Sequence, residues 1–149
     1  MTRDGGNRGL EKIVVDLPKD APATAELLWA AIVGENRFRL ENVPIWAYGL
    51  AFEDVVEGRT DADGRTHYTQ VLQRSGLLTV RIAGPDAPAP FFRRIVEKVA
   101  EHSVATEHYS STYSAFAMTR QKFDEIATTI DEAEETGLIF VEIANGEDD

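Results

Sequence analysis

The stretch that decides the fold covers residues 77–100 and reads LLTVRIAGPDAPAPFFRRIVEKVA. Its first seven residues are mostly apolar and partly β-branched, which is typical of a strand. Pro85, Pro88 and Pro90 then form a stiff linker, and Pro90 suits the first turn of a helix. The apolar residues that follow recur with a helical period, at positions 91, 92, 95, 96, 99 and 100. The stretch therefore predicts a strand, a linker and a helix over residues 91–102.

The residues that follow continue this alternation of strands and helices. Residues 104–118 are β-rich and break at Ser110-Ser111, which predicts a hairpin. Thr119 is a suitable N-cap for a second amphipathic helix. Residues 138–143, LIFVEI, predict a final strand with the apolar density of a central one. Residues 77–144 thus have the order β-α-β-β-α-β, which is the ferredoxin-like order.

The first half of the chain predicts strands over residues 10–17, 37–42, 51–59 and 65–73. The periodicity of residues 26–33 fits either a strand or a short helix, and their length and the Gly34-Glu35-Asn36 turn that follows favour a strand. Short strands at this spacing favour a small curled sheet or a barrel. We therefore predict an α+β protein with a disordered arm over residues 1–9, a barrel-like subdomain over 10–76, a ferredoxin-like subdomain over 77–144 and an acidic tail over 145–149. The expected core is Ile13, Val15, Leu28, Ile32, Phe38, Leu40, Val55, Val71, Val80, Ile82, Ile95, Val99, Phe116, Phe123, Ile126, Ile130, Phe140 and Ile143.

Composition and charge restrict the classes of function. The 149 residues include no cysteine and carry a formal net charge of −11. The absence of cysteine excludes disulfides, thiol catalysis and thiolate metal sites, and it fits a reducing cytoplasm. The acidity indicates either a solubilising surface or a surface that binds a basic protein. It disfavours nucleic acid, because phosphate binding needs a basic footprint. No segment predicts a membrane span or a secretory signal.

The familiar patterns of catalytic and cofactor-binding residues are missing from the sequence. The histidines, at positions 67, 102 and 108, lack the short spacings of metal ligands. The serines around Tyr109 and Tyr113 form no G-x-S-x-G elbow, and the glycines form no phosphate-binding loop. We therefore predict no catalytic residue, no cofactor and no metal.

Residues 41–56, ENVPIWAYGLAFEDVV, place several large rings in an irregular segment. Such a segment either fills the core or lines a groove that binds a ligand or a partner. If it lines a groove, the residues expected there are Glu41, Asn42, Trp46, Tyr48, Asp54, His67 and Arg81.

The same segment carries a resemblance to a known family. Its motif has the residues Asn42, Pro44, Trp46, Tyr48, Gly49, Leu50 and Ala51, then Asp54, Val55 and Val56, then Asp61, Asp63 and Gly64, and then Ser75, Gly76, Thr79, Val80 and Arg81. Over about residues 26–83 the chain resembles an uncharacterised bacterial family, domain of unknown function 4265. The resemblance implies a bacterial, cytoplasmic, autonomous domain, and it implies no activity.

Three hypotheses about function follow from the sequence. The first is a non-enzymatic binding or regulatory module that engages a protein partner, with basic charge as the complement of this acidic chain. The second is a small-molecule-binding protein or an enzyme of unfamiliar type that uses a groove around Trp46 and Tyr48. The third is a structural homo-oligomer, such as a homodimer, that pairs through an open sheet edge.

Overall fold

The computed structural model describes residues 9–146. These residues form nine strands in two sheets and two helices, which confirms the α+β class. Residues 1–8 of the predicted arm and 147–149 of the predicted tail lie outside the described residues. Neither helix within residues 9–146 is long and apolar enough to cross a bilayer.

The first sheet is a closed barrel of five strands. Successive strands pair antiparallel, and a short parallel pairing between the first and the fifth closes the barrel. Inward residues such as Ile13, Leu28, Leu40 and Val56 are almost completely buried. The strands are β1 (Leu10–Asp16), β2 (Ala25–Gly34), β3 (Arg37–Leu40), β4 (Val55–Thr60) and β5 (Thr66–Gln73).

Gly58 allows the barrel interior to pack closely. A Cβ atom at this position would lie 2.8 Å from Cγ2 of Thr66 and 2.9 Å from a ring carbon of Phe38. Both distances are shorter than van der Waals contact, so a larger residue at position 58 would force the side chains of Thr66 and Phe38 to shift.

The second sheet has the strand order β7-β8-β6-β9, and all of its neighbours are antiparallel. Both helices pack on the face that carries Val80, Ile82 and Phe116. The predicted N-cap of the second helix is present, since Thr119 Oγ1 accepts a hydrogen bond from Lys122 N at 3.2 Å. The elements are β6 (Leu78–Ala83), α1 (Ala89–Ala100), β7 (Ala105–Ser110), β8 (Tyr113–Met118), α2 (Arg120–Glu135) and β9 (Phe140–Ile143).

Two predicted core residues are exposed instead. Ile32 is 50% exposed because it lies where the pairing of β2 with β3 shifts register, beyond the regular barrel. Phe140 is 60% exposed because β9 is an edge strand of four residues and not the central strand that its apolar density predicted. The apolar run was misleading because Ile139, just before the strand, packs into the helix-covered core.

The face of the second sheet that the helices leave open is covered by the loop between β3 and β4, residues 41–54. Val43 of this loop packs against Ala115 and Ala117 of β8. Ala47 and Leu50 of the same loop belong to the barrel core. The β3–β4 loop is therefore a layer between the two sheets and contacts both.

Candidate functional site

A buried carboxylate of the barrel holds one side of the β3–β4 loop. Glu26 on β2 is 8% exposed. Its two oxygens accept hydrogen bonds from the backbone N–H groups of Ile45 (2.7 Å), Trp46 (2.9 Å) and Ala47 (2.8 Å). Successive amides that converge on one anion satisfy its charge with fixed dipoles. Glu26 therefore sets the backbone conformation from which the Trp46 ring projects.

A buried guanidinium of the second sheet holds the carbonyl groups of the same segment. Arg81 on β6 is 2% exposed and donates to the carbonyl oxygens of Pro44 (3.3 Å), Trp46 (3.3 Å) and Ala47. Its Nη1 also lies 3.7 Å from a carboxylate oxygen of Glu142 on β9. The rigid fork of the guanidinium suits several acceptors at once, so Arg81 fixes the loop against the second sheet.

Asp54 and Thr79 fix the far end of the loop. Asp54 is 1% exposed and accepts from Ala51 N (3.0 Å) and from Ser75 N (2.8 Å). Thr79 Oγ1 donates to the carbonyl oxygen of Leu50 at 2.7 Å. The middle of the loop is thus bonded to β2 and β6, and its far end is bonded to β6 and to Ser75.

Three aromatic rings meet where the loop reaches β7 and β8. The Trp46 ring stacks on Tyr113, with centroids 5.3 Å apart, and meets Tyr109 edge to face at 4.9 Å. Tyr113 is half-buried, and its hydroxyl donates to the carbonyl oxygen of Ile45 at 2.7 Å. Burial raises the pKa of Tyr113 to about 12. Tyr109, by contrast, is 59% exposed and leaves part of the cluster open to solvent.

Beside these rings lies a cleft of about 250 Å³, which we call the Trp46 cleft. Leu27 and Ile45 line it with apolar side chains, and Asn42 and Glu107 line it with polar ones. Asn42 accepts from Trp29 N at 2.8 Å and donates to the carboxylate of Glu107 at 3.4 Å. No cationic side chain of residues 9–146 lies within ion-pair distance of Glu107. A carboxylate beside aromatic rings is a suitable receptor for a cation.

The opposite face of β7 borders a second cleft, of about 300 Å³, which we call the Phe92 cleft. Phe92 and Val96 of α1 supply its apolar wall, and His108 and Ser114 lie on its β side. His108 Nδ1 is 2.9 Å from Ser114 Oγ. A catalytic Ser–His pair needs an accessible serine and a group that orients the imidazole. Ser114 is 1% exposed, and within residues 9–146 no carboxylate bonds to His108.

Tyr48 belongs to a different surface from Trp46. Its hydroxyl donates to Glu142 at 2.7 Å, and its ring centroid lies 5.1 Å from the guanidinium carbon of Arg81. The hydrogen bond to Glu142 raises the pKa of Tyr48 because it stabilises the protonated phenol. Tyr48 lines a separate cleft of about 280 Å³ with Pro18 and Tyr68.

The residues that the sequence predicted for a groove are therefore distributed over several places. Asn42 and Trp46 line the Trp46 cleft. Arg81 is buried under the loop, and Asp54 is buried at the end of the loop. Glu41 pairs with Arg39 at 2.9 Å on the surface. His67 lies at the β4–β5 hairpin, where its ring contacts Asp61 at 2.8 Å.

Sequence reasoning missed Glu26, Glu107 and Tyr109. Glu26 could have been noticed because it occupies an inward position in the alternation that buries Leu28. Glu107 and Tyr109 share one face of β7 through the same period of two. Their partners in the loop are remote in sequence, with Asn42 and Glu107 separated by 65 positions.

The described residues include no group of three or more histidine, aspartate or glutamate side chains placed to hold a metal ion.

Comparisons with known proteins add a family and a fold. The family model for a domain of unknown function (DUF4265) matches residues 26–141, which confirms the predicted resemblance and extends it into the second sheet. A search of curated proteins finds no match. Among solved structures, the chain is similar to one described as a novel crystal structure of a hypothetical protein from Neisseria gonorrhoeae. The two share 20% identity with a TM-score of 0.73, over 90% of this chain and 93% of that one, which shows the fold alone.

Proposed function

Since the chain belongs to the DUF4265 family, whose description assigns no activity, we propose its function from the site itself. The protein is a non-enzymatic binding module that engages a protein partner, and the Trp46 cleft is its recognition site. The partner presents a lysine or arginine side chain to this cleft.

One observation carries the proposal. Glu107 lies with Trp46 and Tyr109 around one cleft, and no cation among residues 9–146 pairs with it. A cation seated there gains both the carboxylate charge and the quadrupole of the exposed Tyr109 ring. The chain's net charge of −11 would in addition steer a basic partner towards the protein.

The rigidity of the loop supports recognition. Glu26 and Arg81 hold residues 44–47 from opposite sides with six hydrogen bonds, three each. A receptor that is already ordered loses little conformational entropy when the ligand binds. The two buried charges are therefore explained as supports for Trp46, without any catalytic role.

The size of the clefts favours a protein side chain over a small-molecule ligand around Trp46 and Tyr48. These two residues line separate clefts of about 250 and 280 Å³. Both are below the roughly 300–1,000 Å³ that is typical of small-molecule sites. A single arginine or lysine side chain needs no larger space.

The experiment is a selection of peptides from a random display library on the immobilised protein, followed by calorimetry of synthetic hits. We expect lysine- and arginine-rich hits that bind about tenfold more weakly to Glu107→Gln and to Tyr109→Ser. The matched controls are Glu132→Gln, an exposed carboxylate on α2, and Phe140→Ser, an exposed ring on β9. Affinity should also fall as salt is raised. Neutral or acidic hits, or equal losses in the controls, would contradict the proposal.

We further propose that the second half has the ferredoxin-like arrangement predicted from its element order. The support is the strand order β9-β6-β8-β7, the antiparallel pairing throughout, and the placement of both helices on one face. A crystal structure in which α1 and α2 pack on different faces of this sheet would contradict it.

A further inference from the structure

Strand β7 is an open edge of the second sheet. It pairs with β8 on one side, and within residues 9–146 no strand pairs with its other side. An edge of this kind presents backbone N–H and C=O groups that an extended segment can pair with. The regular part of the pairing covers residues 105–108, before a register shift between His108 and Ser110. The edge therefore accommodates a short added strand.

The two clefts lie on opposite faces of this same edge strand. Glu107 and Tyr109 line the Trp46 cleft, whereas His108 and Ser110 line the Phe92 cleft. This division follows from the strand geometry, because successive side chains point to opposite faces. A strand added beside β7 would have the same alternation, so its side chains would enter the two clefts in turn.

The residues that line each cleft indicate which side chains of an added strand would bind there. The Trp46 cleft has aromatic wall and the carboxylate of Glu107, so it suits a basic side chain. The Phe92 cleft is walled by Phe92, Val96 and Ala89, so it suits an apolar side chain. Arg93 and Glu97 of α1 also line this cleft and supply one charge of each sign.

We propose that an extended protein segment with alternating basic and apolar side chains adds to the second sheet as a strand along β7. Main-chain hydrogen bonds to the edge supply affinity, and the two clefts select the side chains. This inference rests on the proposed function, since it gives the binding mode of the partner at the same site.

The test uses an end-blocked synthetic peptide of eight residues that alternates valine and lysine, titrated into the full chain and followed by NMR. Two further peptides carry N-methyl groups, one on the lysine amides and the other on the valine amides. In an added strand these two sets of amides point to opposite sides, so only one set faces β7. We expect one N-methylated peptide to bind at least tenfold more weakly and the other within about twofold of the parent. We also expect slower amide hydrogen exchange at residues 105–108 in the complex.

The outcomes separate this inference from the proposed function. If the parent peptide loses affinity for Glu107→Gln while both N-methylated peptides bind alike, strand addition is wrong and the cleft still binds cations. If Glu107→Gln has no effect on this peptide or on library hits, both proposals fail. A peptide in which serine replaces valine should bind more weakly, and equal affinity would overturn the assignment of the Phe92 cleft. A homodimer that the peptide dissociates would assign the edge to a second copy of this chain and overturn the proposed partner.

Discussion

The replacement Glu26→Ala tests whether the buried carboxylate organises the β3–β4 loop. It would leave the amides of Ile45, Trp46 and Ala47 without their acceptor. A buried donor that loses its partner costs about 1–3 kcal/mol. We expect a cost near the lower end of this range, about 1 kcal/mol for each amide, because Ile45 and Trp46 are only half-buried and water can reach their amides. The three amides together therefore predict a loss of about 3 kcal/mol in the free energy of unfolding.

The assay is equilibrium unfolding in urea. With a slope near 2 kcal/mol per molar urea, a loss of about 3 kcal/mol moves the midpoint down by about 1.5 M. The control is Glu35→Ala, an exposed carboxylate in the turn between β2 and β3, which should change stability by less than about 0.5 kcal/mol. A loss below about 1 kcal/mol for Glu26→Ala would refute the reasoning, because it would mean that the loop amides readily find other acceptors.

Three further predictions concern the supports of the loop and the barrel. Arg81→Met should lower the free energy of unfolding by about 3–5 kcal/mol in the same urea assay, because it leaves buried carbonyl groups unpaired. The control Arg74→Met, at an exposed position, should lower it by less than about 1 kcal/mol. The pKa of Tyr113 is about 12 in the folded protein and exceeds that of a tyrosine in the unfolded chain. The neutral phenol therefore contributes fully to the free energy of unfolding below about pH 10, and this contribution is lost as the pH rises towards 12. Unfolding measured at pH 9 and pH 11 should therefore show a smaller decrease for Tyr113→Phe than for the wild type, and an equal decrease would contradict the assignment. Gly58→Ala should lower the free energy of unfolding by about 1–3 kcal/mol, because the new methyl group would clash with the side chain of Thr66. An unchanged free energy of unfolding would contradict this prediction, because it would mean that the barrel interior accommodates the methyl group.

Much of the secondary structure was predictable because its signals are local. The helical period of Phe92, Val96 and Val99 and the Thr119 cap lie within short windows of sequence, and both helices are present. The exposure of Ile32 and Phe140 was not predictable in this way, because a register shift and an edge position are properties of the whole sheet. Apolar density identifies a strand but does not give its place in the sheet.

The candidate site was only partly predictable. The rings of residues 41–54 marked an unusual segment, and Trp46 does line a cleft. Arg81 was expected in a groove, yet it is buried because carbonyl groups more than 30 positions earlier in the chain accept its hydrogen bonds. Tyr113 and Ile45 are likewise joined across 68 positions. Such contacts depend on the packing of the loop between two sheets, which no local pattern encodes.

The most direct test of the central claim is an NMR map of the residues perturbed by a library-selected basic peptide. We predict that the changes concentrate at residues 44–47 of the loop, which include Trp46, and at Glu107 and Tyr109 of β7. In Glu107→Gln the same changes should need about ten times more peptide to reach half of their full size. Perturbations centred instead on β9, or on Lys12 and Arg65 near the pairing of β1 with β5, would contradict the claim that the Trp46 cleft is the recognition site.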